Sequence, residues 1–148
     1  MGQNTRALRA FWDTSAVVPL CCQDKFSIEA RTLSRRFERI IVWWNTRVEI
    51  RSALTRLLRD GKINKEGFRN AMLSVEALQA RWSEVLPIEA VREIAEDCLD
   101  RFPLRSPDAL QLAAALLWCN SKPKRRAFIC FDPQLSNAAM ESGFDVHP

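Results

Sequence analysis

Short runs of bulky apolar residues recur along the chain, and a helix-length stretch separates each from the next. That alternation constrains the fold more than any single residue does. Ala10, Phe11 and Trp12 open the pattern and predict a strand over Arg9–Asp13. Ile40–Trp44 is an unbroken β-branched and aromatic run, as expected of a strand buried on both faces. Val85-Leu86, Ala127–Phe131 and Phe144–Val146 predict three more. Between them, helices are predicted over Ala16–Cys22, Ser27–Arg39, Thr46–Arg59, Asn64–Trp82, Glu89–Phe102, Asp108–Cys119 and Pro133–Ser142. Strands always separated by helices pair in parallel, and a parallel sheet needs helices on both faces. The expected fold class is α/β: a three-layer α/β/α sandwich around a parallel sheet of about five strands. A length of 148 residues fits one such domain, 1–148.

Composition narrows the chemistry. The chain has four glycines, and no GxGxxG or phosphate-cradling P-loop can be built from them. Its one histidine, His147, stands beside the C-terminus, so carboxylates must carry any acid–base or metal chemistry. The five cysteines form no CxxC and sit mostly in apolar runs. They read as buried thiols in a reducing, cytoplasmic setting. Met1–Ala10 lacks the apolar region of a secretory leader, and Gly2 is followed by Arg6 where a myristoylation site needs Ser or Thr. The longest apolar run, Leu112–Cys119, is far short of a membrane span, so no membrane association is expected. The net charge of +4 is segregated: Arg31–Arg69 carries eleven basic residues against four acids, and Lys122, Lys124, Arg125 and Arg126 form a second cluster. Such stretches suit phosphate backbones, although solvated helix faces look the same.

In an open parallel sheet, ligands bind outside the carboxyl ends of the strands. Asp13 and Asp132 are predicted at strand ends, and Glu49 and Asp108 in the first turns of following helices. Each has a structural explanation alone: Thr46-x-x-Glu49 is a capping box, Asp132-Pro133 a helix start, Asp13 a cap, and Asp108 a complement to the helix dipole. Capping does not require all four at one edge. Crowded carboxylates repel unless a cation lies between them, and Mg²⁺ or Mn²⁺ prefers oxygen ligands. Such an ion neutralises a phosphate and activates water, which points to a metal-dependent phosphodiesterase or phosphatase-like site.

At these four places the sequence resembles PIN-domain ribonucleases. Phe11-Trp12-Asp13-Thr14-Ser15-Ala16, Glu49-Ile50-Arg51-Ser52-Ala53-Leu54, Ser106-Pro107-Asp108-Ala109-Leu110-Gln111-Leu112-Ala113 and Phe131-Asp132-Pro133-Gln134-Leu135 are similar to the four acidic motifs of that family, in order and spacing. The likeness extends from Arg9 to nearly the end of the chain. Size and the arginine-rich helix carrying Glu49 most resemble the VapC-type toxins of toxin–antitoxin pairs. The resemblance implies an Mg²⁺- or Mn²⁺-dependent endoribonuclease with Asp13, Glu49, Asp108 and Asp132 as metal-binding acids, and products ending in 5′-phosphate and 3′-hydroxyl. It places Ser15 beside the first acid as a substrate or water ligand. Arg47, Arg51, Lys124 and Arg125 are the candidates for flanking phosphates. It further implies an RNA substrate, a cognate antitoxin lodged between the helices at 47–59 and 64–81, and a homodimer, to which Trp43, Trp44 and Trp82 are candidate contributors. Two departures stand out: Gln111 replaces a frequent histidine, and Pro-Gln after Asp132 lacks a further acid carried by some members. A non-catalytic PIN-like module that holds RNA or a protein is the alternative. Phosphotransfer domains also place acids at strand ends, but here Asp13-Thr14-Ser15 lacks the Asp-x-Asp one class needs, and the acidic pair of receivers is missing.

Overall fold

The computed structural model describes residues 7–148. Met1–Arg6, which include Gly2 and Arg6 and much of the polar opening stretch, lie outside the described residues. The order is β1 (Arg9–Trp12), α1 (Thr14–Cys21), α2 (Ser27–Arg36), β2 (Arg39–Trp43), α3 (Thr46–Arg59), α4 (Lys65–Gln79), β3 (Ser83–Val85), α5 (Glu89–Arg101), α6 (Ser106–Trp118), β4 (Ala127–Ile129), α7 (Pro133–Ser142) and β5 (Asp145–His147). The strands form one sheet in the order β3-β2-β1-β4-β5, and every neighbouring pair is parallel.

Alternation along the strands builds two cores. Phe11, Ile41, Trp43, Phe128 and Cys130 face α5, α6 and α7. Ala10, Trp12, Ile40, Val42, Ala127 and Ile129 face α1 to α4. The result is the expected three-layer α/β/α sandwich. Helix α6 is apolar nearly all round because it lies within the first core: Ala109, Leu112, Ala113, Ala114 and Ala115 are all fully buried. Gly143 ends α7 at φ 110°, a left-handed cap, and a Cβ there would stand 3.1 Å from Pro123 Cγ.

Several boundaries shift for physical reasons. The strand expected to reach Phe131 stops at Ile129, and the Phe131 N–H is taken by the Ser15 hydroxyl at 3.0 Å. Helix α4 stops at Gln79, letting Trp82 fold into the second core. Helix α2 stops at Arg36 as Phe37 turns inward. The third strand lies at Ser83–Val85, and Leu86 is exposed. Trp43 and Trp82 are core residues, the ordinary place for a tryptophan, and of the three candidates for a contact between copies only Trp44 is exposed. Among the described residues, no helix is long and apolar enough to cross a membrane.

Phe128 is fully buried on the interior strand β4, with its ring 5.4 Å from Phe11 and 5.3 Å from Phe144. Phe128→Ala is expected to lower unfolding free energy by about 3–5 kcal/mol in denaturant titration, whereas Leu73→Ala, at an exposed position, should change it by less than about 0.5 kcal/mol.

Candidate active site

Parallel pairing brings the carboxyl ends of all strands to one edge, and two acids follow directly. Asp13, 4% exposed, succeeds β1 and caps α1 by accepting from the Ser15 N–H at 3.1 Å. Asp132 succeeds the β4 segment and caps α7, with the Leu135 N–H donating at 2.9 Å. Both capping explanations therefore hold, and neither removes the residue from the edge.

The capping box at Thr46 and Glu49 does not form. Asn45 is the cap residue and makes no side-chain cap bond. Thr46, fully buried, and Glu49 instead turn toward Gln111 of α6. The Gln111 Nε2 group donates toward Thr14 Oγ1 at 3.0 Å, Thr46 Oγ1 at 3.1 Å and Glu49 Oε2 at 3.0 Å. Thr14 Oγ1 also donates to Glu49 Oε2. Glu49 Oε1 is buried and has no partner among the described residues. Helix α6 starts at Ser106, two residues before the expected Asp108, with Arg105 at the cap, and Asp108 stands in the first turn.

Asp13, Glu49, Asp108 and Asp132 line one open cleft of about 520 Å³ together with Thr14, Ser15 and Arg56. Four acids from separate segments thus meet as the sequence predicts. They surround the cleft and do not close on one point: among the described residues, no three Asp, Glu, His or Cys side chains form a ready-made metal cage. Crowding and burial still act on them. Burial pushes the Asp13 carboxyl up to about 6, with Glu49 adding repulsion against bonds from Ser15. Burial also raises Asp108 to about 6, with Asp13 and Asp132 adding to it. Glu49 is raised by burial and opposed by its bonds from Thr14 and Gln111.

The other candidates divide. Ser15 lines the cleft, and its hydroxyl pins the turn that carries Asp132 by accepting from Phe131 N–H. Cys130 packs beneath, with Sγ 3.7 Å from Asp13 Oδ2, and burial drives its thiol up to about 12. Arg47 and Arg51 lie on another face of α3, along a groove with Val48 and Met72, and the Arg51 guanidinium covers the Phe68 ring at 5.4 Å. Lys124 and Arg125 belong to the loop from the end of α6 to the start of β4, which the topology puts at the opposite edge of the sheet. These four residues are therefore not brought to the cleft. The base that does line it is Arg56. Its seven-residue spacing from Glu49, through Ser52 and Ala53, is the signal that identifies it, because residues so spaced share a helix face.

No family model matches the chain, and no curated protein matches it. Among solved structures, the chain is similar to the PAE2754 protein of Pyrobaculum aerophilum, with a TM-score of 0.60 and 17% identity over 92% of this chain and 83% of that one. At that identity the likeness shows a shared α/β fold.

The raised carboxyls have a consequence for stability. The folded chain holds the Asp108 proton more tightly than the unfolded chain does, so stability falls as pH rises from 3.8 to about 6 and stays lower above that. Asp108 is half-buried, and solvent screening reduces the effect to roughly 1 kcal/mol. With divalent cations removed, Asp108→Asn is expected to raise Tm by about 2–4 °C at neutral pH and to leave it unchanged near pH 3.5, read by circular dichroism melts.

Proposed function

We propose that the chain is a divalent-cation-dependent endoribonuclease of the PIN-domain kind, acting as the VapC-type toxin of a toxin–antitoxin pair in the cytoplasm. The observation that carries this reading is the gathering of Asp13, Glu49, Asp108 and Asp132 around one cleft with Arg56 on its wall. Metal-ligand chemistry fits these residues. All four present hard oxygen donors, Glu49 Oε1 is an orphaned buried acceptor, and a cation would offset the burial, and the added repulsion, that hold Asp13 and Asp108 near 6. Asp13, Asp108, Asp132 and Glu49 would hold Mg²⁺ or Mn²⁺. When bound, the cation supplies neutralisation of a scissile phosphate and activation of water.

The chain's own residues do the remaining work. Gln111 and Thr14 fix the Glu49 carboxylate from below through Oε2. Ser15 holds the Asp132 turn against α1. Arg56 is the guanidinium placed to bind a flanking phosphate of RNA, as a fork suited to two oxygens. The α3–α4 groove, with Arg51, Phe68, Arg69 and Met72, offers apolar and basic contacts to an antitoxin carrying apolar and acidic groups. A homodimer belongs to the same reading. A non-catalytic RNA- or protein-binding module is the second reading, favoured by the absence of a closed metal cage among the described residues.

RNA cleavage with end mapping tests the proposal. The chain should cut RNA with Mg²⁺ or Mn²⁺, leave 5′-phosphate ends, and stop in EDTA. Asp13→Asn and Asp108→Asn should each slow cleavage by on the order of 10²-fold or more. Arg56→Gln should lower kcat/KM by about 10- to 100-fold, the worth of a hydrogen bond to a charged group. If the two aspartate variants cut as fast as the original chain, the nuclease assignment fails; stoichiometric Mn²⁺ binding without turnover on any RNA would favour the second reading.

A further inference from the structure

Four arginines stand side by side at the amino edge of the sheet, across the molecule from the acidic cleft. Arg9 pairs with Arg39 in the β1–β2 ladder. Arg126 directly precedes Ala127, the partner of Ala10, and so takes the position beside Arg9. Arg81 lies two residues before Ser83, the partner of Ile41, and extends the row beyond Arg39. At about 4.8 Å per strand, the row spans roughly 14 Å across β3, β2, β1 and β4. Residues opposite one another across strands share a face, and this is the face covered by α6. Arg9, Arg39 and Arg81 accordingly line a hollow of about 400 Å³ with Trp118, at the end of α6. The Arg126 guanidinium sits over the Trp118 ring at 5.6 Å. All four arginines are exposed.

Like charges directly opposite on neighbouring strands destabilise a sheet. Glu84 is the one acid among the residues lining the hollow, and none of the four arginines forms an ion pair among the described residues. Residues 1–6 contain no Asp or Glu. The loop entering β4 adds Lys122, Lys124 and Arg125 on the same edge.

We infer that this edge is a second RNA-binding site, which grips the phosphodiester backbone away from the acidic cleft. Repeated guanidinium forks suit successive phosphates. Arg9, Arg39, Arg81 and Arg126, one per strand, make an evenly repeating row of charge, which suits the repeating phosphates of RNA. The site takes its occupant class from the proposed nuclease activity and its location from the arginine row alone. Binding is therefore measured with divalent cations removed, where cleavage plays no part.

The test is fluorescence anisotropy of a labelled single-stranded RNA of about 30 nucleotides with the full chain in EDTA, over a range of KCl concentrations. The comparison is the combined Arg9→Gln, Arg39→Gln, Arg81→Gln and Arg126→Gln variant, with its fold checked by circular dichroism. A lone Arg9→Gln variant serves if the combined one does not fold. About 0.7 counterion is released per phosphate contact on a single strand, so the combined variant should lose about 2–3 from the slope of log affinity against log salt, and the lone variant about 0.7. Affinity at physiological salt should fall at least about tenfold in the combined variant. Unchanged affinity and slope in the arginine variants would overturn the inference, as would failure of the original chain to bind RNA. Polyglutamate that binds this edge in preference to RNA would overturn the choice of occupant.

Discussion

All five strands run in one direction, so the sheet has a carboxyl edge and an amino edge that differ in everything the connecting segments bring. The carboxyl edge receives Asp13, Asp132 and the first turns of α3 and α6, which carry Glu49 and Asp108. The amino edge receives Arg9, Arg39, Arg81 and Arg126. A mild net charge of +4 thus conceals a molecule polarised along its strands. Both edges hold like charges close together, acids at one and arginines at the other. The two apolar layers supply the stability that makes such crowding tolerable.

The arrangement beneath Glu49 shows how one core helix serves the site. Gln111 is fully buried in α6, yet its amide bonds to Thr14, Thr46 and Glu49 from two other segments. A neutral amide fixes the carboxylate without contributing a charge to the cleft. Arg56 contributes to the wall of the same cleft from the next turns of α3.

Much of this is legible in the sequence alone. Apolar runs such as Ile40–Trp44 mark buried strands because side chains on both faces must be apolar, and the intervening amphipathic stretches force parallel pairing. The four acids follow from strand ends and first turns, which local sequence defines well. What the sequence does not show depends on directions in space. Arg47 and Arg51 share a helix with Glu49 but not a face, and Lys124 and Arg125 precede a strand, which puts them at its amino end. Thr46 and Glu49 satisfy the capping-box pattern, but a partner 62 residues from Glu49 outcompetes the local bond. No local pattern announces that competition, just as none announces that Arg9, Arg39, Arg81 and Arg126 come into register.

The central claim is that the acids of the carboxyl edge form a cation site. Calorimetric titration of Mn²⁺ into the chain near pH 6 tests it most directly, because Asp13 and Asp108 are then partly protonated and must release protons as the ion binds. The account predicts saturable binding, a heat that varies with the ionisation enthalpy of the buffer, and loss of both in an Asp13→Asn, Asp108→Asn double variant. Equal binding by the chain and the double variant, or no binding by either, would contradict it.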